Sequence, residues 1–237
     1  MRLLALVPIL AILAACAGAP PRRDAADPEA LLERAIAAAG GERALDRARS
    51  LSWEGEAEVH AGTTTIPLRV RTRVRPFASA HSTSWRRDET PPRPRQMRID
   101  ATGGELVLPD GTRRPMPEPM LRHERAQFAV YGLMRLLPLR EAGVRRAPLP
   151  PDAQGRPGIR VEHPLAPPAD LHFAPDGRLA VLTNRVPAAD GNGEVTQRFL
   201  FDGTVEAAGV RWPRRLRIEH DGAPYFELRI ERFEVSP

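Results

Sequence analysis

The chain contains one cysteine, Cys16, and the residues before it suggest what its thiol does. It follows Met1-Arg2 and an uncharged apolar run from Leu3 to Ala15. An export signal typically has a positively charged N-terminus, an apolar stretch too short to form a stable transmembrane anchor, and small residues before the cleavage point. Residues 1–15 show all three features. A lone cysteine in an exported chain has no disulfide partner within that chain, so acylation is the chemistry that gives Cys16 a use.

The sequence Leu13-Ala14-Ala15-Cys16 resembles the lipobox of bacterial lipoproteins. The resemblance implies that residues 1–15 are a signal peptide, that the Cys16 sulfur carries a diacylglycerol, and that the new amine carries an acyl chain. Several chains on one residue anchor firmly, since each buried methylene contributes about 0.8 kcal/mol. Ala17, rather than Asp, follows the cysteine, which by this resemblance favours the outer membrane. The alternative is an ordinary signal cleaved after an A-x-A-like site, which leaves Cys16 as a free thiol.

No other residues form a recognisable catalytic or metal-binding motif. The histidines are scattered, and His123-Glu124 lacks the second histidine of an H-E-x-x-H motif. No G-x-S-x-G surrounds a serine, and Gly191-Asn192-Gly193 is not followed by the helix that a phosphate-binding turn requires. We therefore expect no catalysis, no metal and no cofactor, with a metal role for a histidine or a dispersed active site as minor alternatives. The six histidines are His60, His81, His123, His163, His172 and His220.

The length and composition suit a folded, exported chain with one large β-rich domain or two small ones. The chain has 237 residues, 42% of them hydrophobic, which is enough for a sizeable core. The formal net charge is +5, and every basic residue other than histidine is arginine. Because these charges are interspersed with acids rather than clustered, we expect no nucleic-acid partner.

The start of the domain is predicted to be helical. Residues 16–26 have no apolar period and are predicted to be a lipidated N-terminus and flexible tether. Asp27-Pro28-Glu29 then supplies a capping side chain, a proline at the first helical position and an acid in the first turn. Gly40-Gly41 is expected to end this helix, and a second short helix is predicted over Glu42–Arg49.

From Leu51 the apolar period changes to that of strands. A first strand is followed by a second that has one apolar face and one charged face. This pattern is typical of antiparallel strands that are exposed to solvent on one side only. Its apolar face carries Ile66, Leu68, Val70, Thr72 and Val74, and its other face carries Arg69, Arg71, Arg73 and Arg75. The arginines are predicted to form a solvated outer face, with contact to anionic lipid headgroups as the alternative. A third strand carrying Trp85 is predicted over Phe77–Arg87.

Further strands lie on both sides of one central helix, which is predicted over Glu118–Leu137. A slip of the alternation between Ile230 and Phe233 predicts a bulge in the last strand. Such a meander must curl to protect its edges, so the predicted fold class is α+β, mainly antiparallel β, with a strongly curved half-barrel sheet closed by a few helices. The later strands are predicted at Gln96–Ala101, Glu105–Leu108, Gly158–Glu162, Asp170–Phe173, Leu179–Val186, Val195–Phe201, Val210–His220 and Tyr225–Val235.

This pattern resembles the LolA/LolB superfamily of lipoprotein localisation factors. The resemblance rests on the export signal, the Glu29-Ala30-Leu31-Leu32 helix leading through Gly40-Gly41 to a first strand, and the closing hairpin with Gly209-Val210-Arg211-Trp212-Pro213. It implies that residues 27–237 form a single half-barrel domain whose apolar cavity holds acyl chains. The receptor of that family is itself an outer-membrane lipoprotein, which fits Cys16.

The functional hypothesis is a periplasm-facing outer-membrane lipoprotein that binds lipid or acyl chains, including those of client lipoproteins, without catalysis. Its expected partners are the membrane, through the lipid anchor, a lipid or acylated client, and the lipoprotein-processing and sorting machinery; we expect a monomer. The alternative is an envelope scaffold that uses no ligand cavity. The candidate cavity-lining residues, for each of which simple core packing is the alternative, are Trp53, Leu68, Val70, Trp85, Phe128, Tyr131 and Met134.

Overall fold

The computed structural model describes residues 26–237, so the predicted signal peptide, Cys16 and nearly all of the predicted tether lie outside the described residues. Within this range the helices are α1 (Pro28–Ala38), α2 (Glu42–Arg47), α3 (Glu118–Met134) and a 3-10 helix at Leu137–Arg140. The strands before α3 are β1 (Ser50–Ala61), β2 (Thr64–Arg75), β3 (Ser79–Arg86), β4 (Arg95–Ile99), β5 (Gly104–Val107) and β6 (Arg113–Pro115). Those after it are β7 (Arg145–Leu149), β8 (Gly158–His163), β9 (Ala166–Phe173), β10 (Leu179–Pro187), β11 (Glu194–Asp202), β12 (Val205–Ala207), β13 (Val210–Trp212), β14 (Arg215–His220) and β15 (Ala223–Ser236).

Most of these strands form one large antiparallel sheet. Its order is β6-β5-β4-β3-β2-β1-β15-β14-β11-β10-β9-β8-β7, and β12 and β13 pair separately. The sheet is curved and open rather than closed into a barrel. The predicted fold class, α+β and mainly antiparallel with a curved sheet and a few helices, is confirmed.

The alternation of side chains gives the sheet an apolar inner face and a charged outer face. Trp53 pairs with Thr72 and Phe233, and these positions point toward the helices, which pack on the inner face. Glu54 pairs with Arg71 on the outer face. Burial of the inner face against helices is therefore the main stabilising contribution to the fold, as expected for a sheet that is wet on one side only.

The first helix begins and ends as the sequence predicts. The Asp27 carboxylate accepts a hydrogen bond of 3.2 Å from the backbone N–H of Glu29, and Pro28 is the first helical residue. At the other end, Gly40 has φ +116°, and a Cβ built on it would lie 1.9 Å from the Gly209 carbonyl oxygen. Glycine at this position therefore allows the end of α1 to approach the β12–β13 turn closely.

One end of the inner face is closed by contacts to α3. The Phe77 ring lies against Gly132 of α3, where an added Cβ would be 2.3 Å away. The same ring stacks on His163, with centroids 4.5 Å apart and planes 8° apart. Phe77 has φ +62°, so the third strand starts at Ser79 rather than at the predicted Phe77. The β2–β3 and β8–β9 turns thus meet beside α3.

The last hairpins refine the prediction. The predicted strand Val210–His220 is divided into β13 and β14 at Pro213, which has no N–H to donate to a ladder. The predicted bulge is confirmed, because Glu54 pairs with Arg232 while Gly55 pairs with Ile230. The short edge strands β6 and β7 were not predicted from the sequence, and their arginines and prolines are features that discourage pairing with other chains.

Candidate functional site

The inner face beneath the helices is filled with side chains. Trp53 is 4% exposed, and Val70, Tyr131 and Met134 are each 5% exposed. The Trp53 and Tyr131 rings have centroids 4.9 Å apart, and Tyr131 also contacts the Phe128 ring at 5.6 Å. These predicted cavity residues therefore lie in the packed core, with Phe128 half-buried at its edge.

A small apolar cavity remains beside this core. It borders Ala35 of α1, Met134 at the end of α3, Leu136 just beyond it, Phe201 of β11 and Trp212 of β13, and its volume is about 80 Å³. Pockets that hold drug-sized ligands have volumes of about 300 to 1,000 Å³. In this structure the cavity beside Met134 is therefore too small for an acyl chain.

A larger space lies where the helices leave the inner face of β1 to β3 uncovered. This open pocket has a volume of about 440 Å³ and an apolar floor of Val59, Ile66, Leu68 and Leu108. Val59 pairs with Ile66 in register, so both share the inner face. The rim is charged and includes Arg86, Arg93, Arg95, Glu89 and Asp110. Of the seven predicted lining residues, Leu68 is the one whose side chain lies on this floor.

Trp85 and Phe128 border two different pockets. Trp85 borders the open pocket, but it pairs with Arg69 in register, so strand alternation sets its side chain on the outer face. The sequence analysis gave Trp85, like Leu68, as a candidate cavity-lining residue without assigning it to a face. Phe128 borders a separate pocket of about 180 Å³, which also contains Val74 and Leu165.

Three polar residues interrupt the apolar inner face and form what we call the polar row: Asn184, Gln197 and His220. Asn184 pairs with Gln197, and Gln197 pairs with His220, on the neighbouring strands β10, β11 and β14. The Gln197 side-chain nitrogen donates to His220 Nε2 and to Gln127 Oε1 of α3, each at 2.9 Å. His123 of α3 covers the row and donates from Nδ1 to the Pro187 carbonyl oxygen at 2.8 Å.

Several buried atoms around the polar row have no hydrogen-bond partner among the described residues. They are His123 Nε2, Gln197 Oε1, and both Oδ1 and Nδ2 of Asn184. The side chains are almost inaccessible, with Gln197 0%, His123 1% and Asn184 4% exposed. Because nearly all buried polar groups in folded proteins are paired, a set of unpaired atoms in one place is unusual.

Burial also perturbs the titratable groups beside the polar row. Burial raises the pKa of Glu124 on α3 to about 7. The Tyr225 ring stacks on His220 with centroids 3.7 Å apart. Burial and the Glu124 charge raise the pKa of Tyr225 to about 12, and burial, with a smaller effect of His123, lowers the pKa of His220 to about 4. The α3 side of this cluster therefore disfavours charge of either sign.

The outer face around Glu54 carries a network of ion pairs that includes Arg69 and Arg71 but not Arg73 or Arg75. Glu54 lies 3.1 Å from Arg71 and 3.4 Å from Arg69, and Arg69 lies 2.7 Å from Glu231. Partial burial acts to raise the pKa of Glu54, but hydrogen bonds and charge from Arg71 and Arg69 outweigh it and lower this pKa. For Arg69 and Arg71 these contacts favour the predicted solvated outer face over headgroup binding.

Within residues 26–237, no group of three or more histidine, cysteine, aspartate or glutamate side chains is arranged to hold a metal ion. Over the same range no helix combines the length and the apolar character needed to cross a membrane.

Comparison with solved structures identifies the type of fold. Neither protein-family models nor curated protein sequences gave a match. A solved domain from Vibrio parahaemolyticus, named for outer membrane lipoprotein sorting, is similar with TM-score 0.54 and 9% identity, covering 88% of this chain and 93% of that one. A LolA superfamily protein from Nitrosomonas europaea is similar with TM-score 0.54 and 10% identity, covering 90% and 95%. The chain has a LolA/LolB-like fold.

A third solved structure extends this likeness. A DUF1329 family protein from Desulfovibrio piger shares the LolA/LolB-like fold, with TM-score 0.51 and 10% identity over 89% of this chain and 94% of that one.

The polar row was not predicted from the sequence. A signal was present, since Asn184 lies between Leu182 and Val186 on an apolar alternation, but only the strand register brings the row together.

Proposed function

We propose that this protein is a lipid-anchored, periplasm-facing lipoprotein of the outer membrane that holds a lipid or acyl chain in its half-barrel, without catalysis. The observation that carries the proposal is the open pocket, an apolar floor on the inner face with a volume of about 440 Å³. An acyl chain needs a broad apolar wall and few polar anchors, and this floor provides that wall.

Acylation of Cys16 would anchor the chain, and residues 16–26 would link the anchor to a single domain over residues 27–237. Its partners would then be the membrane, the lipoprotein-processing and sorting machinery, and a lipid or the acyl chains of a client lipoprotein. The LolA/LolB-like fold is consistent with each of these partners and does not distinguish between them.

The packed core limits how a chain can lie. Leu68 on the pocket floor is followed on the same face by Val70 and Thr72, which are buried. A chain longer than the open pocket must therefore displace core side chains beneath α3 as it enters. We expect the ligand to seat first on Val59, Ile66 and Leu68, with deeper entry coupled to movement of α3.

A bulky substitution on the pocket floor tests the proposal. Leu68→Trp fills the open pocket, whereas Arg73→Trp adds the same ring to the outer face of the same strand. Binding of a fluorescent fatty-acid probe to the purified full chain should be lost in Leu68→Trp and retained in Arg73→Trp. Equal binding of the probe by the two variants, or no binding by the wild-type protein, would contradict lipid binding at this pocket.

A second function is favoured by a different observation, namely that the inner face beneath the helices is packed and the outer face is ion-paired. Such a domain could serve as a rigid scaffold for an envelope protein complex. A stable protein partner that is retained equally by Leu68→Trp, together with no acyl-probe binding, would support this alternative.

A further inference from the structure

The polar row requires an explanation that the packed core does not supply. Three residues on adjacent strands place side-chain oxygen and nitrogen atoms on an otherwise apolar face, beneath α3. Four atoms, in His123, Gln197 and Asn184, are buried and have no partner within residues 26–237. Since a buried polar group without a partner is costly, groups that persist in such a place point to a ligand that pairs with them.

The hydrogen bonds that these side chains already make determine which of the unpaired atoms are acceptors and which is a donor. His123 Nδ1 donates to Pro187, so Nε2 of the neutral ring is an acceptor. The two hydrogens of the Gln197 amide go to Gln127 and His220, which leaves Gln197 Oε1 as an acceptor. Asn184 adds one further acceptor, Oδ1, and one donor group, Nδ2. The site therefore presents three acceptors and one donor group.

This pattern discriminates among polar head groups. A carboxylate or phosphate carries only acceptors when it is fully ionised, so it would face three acceptors and the nearby Glu124. An ammonium carries only donors, so it would leave Asn184 Nδ2 unpaired, and its charge would be buried at high cost. A hydroxyl both donates and accepts and carries no charge. A neutral head with more than one hydroxyl matches the site.

The polar row also lies within reach of the open pocket. Val59 on the pocket floor pairs with Phe226 of β15, and Phe226 pairs with Ile218 of β14. His220 is two residues beyond Ile218, a distance of about 7 Å along a strand. β14 is the second strand from β1, a separation of about 10 Å across the sheet. A head group on a chain seated in the open pocket is therefore close enough to reach the row.

We propose that the polar row is the recognition site for the head of a neutral, hydroxyl-bearing lipid such as a monoacylglycerol. This proposal rests on the proposed lipid-binding function and names the class of lipid. The row is covered in this structure, so the head enters when the first half of α3 moves away from the sheet. The polar contacts that this movement must break include the bonds from His123 to Pro187, from Gln197 to Gln127, and from Arg125 to the Asp100 and Ala101 carbonyl oxygens.

Three lipids with one common tail test the proposal: monoolein, oleate and oleylamine carry a neutral diol, an anion and a cation. Each is used at neutral pH to displace a fluorescent acyl probe from the purified full chain. We expect monoolein to displace the probe at a concentration about tenfold lower than either charged lipid. If a charged lipid displaces it as readily as monoolein, the proposal is wrong, while lipid binding itself still holds. If none of the three displaces the probe, the proposed function fails as well.

A variant tests whether the polar row is responsible. Asn184→Leu removes both unpaired amide atoms with little change in side-chain size, so it should abolish the preference for monoolein while leaving the affinity for oleate unchanged. Thr72→Val is the matched control, because Thr72 is also buried on the inner face but is bonded to Ser82 at 2.9 Å, away from the row. Persistence of the preference in Asn184→Leu would overturn the proposal. The comparison of the three lipids on the unmodified protein stands even if a variant does not fold.

Discussion

Replacing Glu124 with glutamine should make the protein more stable in mildly alkaline solution. Glu124 is buried on α3, and burial raises its pKa from the model-peptide value of 4.5 to about 7. The titratable groups that its charge reaches are Tyr131 on α3 and Tyr225 on β15. None of the described residues donates a hydrogen bond to the carboxylate, so its ionised form has no compensation.

The sign and size of the effect follow from the pKa of Glu124. Because the folded protein holds this proton more tightly than the unfolded chain, the stability that the group contributes is complete below pH 4.5 and is lost as the pH rises through about 7. A change from 4.5 to about 7 corresponds to about 3 kcal/mol of free energy of unfolding. For a chain of this size that is roughly 6 to 12 °C in Tm.

The assay is thermal unfolding, followed by circular dichroism between pH 4 and pH 8.5, of the unmodified protein, Glu124→Gln and Glu118→Gln. Glu118 is on the same helix but its side chain is 68% exposed, so its variant should follow the unmodified protein. Glu124→Gln should gain Tm relative to both as the pH rises above 5. Parallel curves for Glu124→Gln and the unmodified protein would refute the claim that a buried, uncompensated carboxyl lies beneath α3.

Three further predictions concern other parts of the fold. Gly132→Ala places a methyl group against the Phe77 ring and should lower the free energy of unfolding by about 1 to 3 kcal/mol, measured in urea; an unchanged midpoint would mean that this contact does not form. Glu54→Gln removes exposed and half-exposed ion pairs, including that to Arg71, so it should cost less than about 1 kcal/mol and the difference should shrink in high salt; a larger, salt-independent loss would argue against it. Burial depresses the pKa of His220 to about 4, so the stability it contributes is present above pH 6.5 and is lost as the pH falls toward 4. His220→Gln should therefore lose less stability over that range, and an identical acid transition would count against the burial of this ring.

The long strands β1 and β2 were predictable because each has one buried face and one solvent-exposed face. In β2 the arginines alternate with Leu68 and Val70 without interruption, so the sequence period alone gives the inner and outer faces. The helix start at Asp27 and the bulge between Ile230 and Phe233 were also predicted, since each depends on residues that are close in sequence.

Features that depend on tertiary packing were not predictable in the same way. Trp53 and Tyr131 are apolar enough for either a cavity wall or a core, and only the position of α3 decides that they contact each other. The face of Trp85 could not be read from the sequence either, because it depends on the register of β3 on β2, in which Trp85 pairs with Arg69.

The polar row shows the same limit. Asn184, Gln197 and His220 are distant in the sequence, and each could belong to a strand end or a loop. The register across β10, β11 and β14 aligns them, and α3 then covers them with His123. Side-chain pairing across several strands is information that the sequence of a single strand does not contain.

The most direct test of the central claim is to map where an acyl chain lies on the protein. A fatty acid with a photoactivatable group at the end of its tail is bound to the purified full chain, irradiated, and located by mass spectrometry of peptides. The proposed function predicts cross-links to the floor of the open pocket, at Val59, Ile66 and Leu68. Cross-links confined to the outer face, around Arg71 and Arg73, or none above the level of a non-binding control protein, would contradict it.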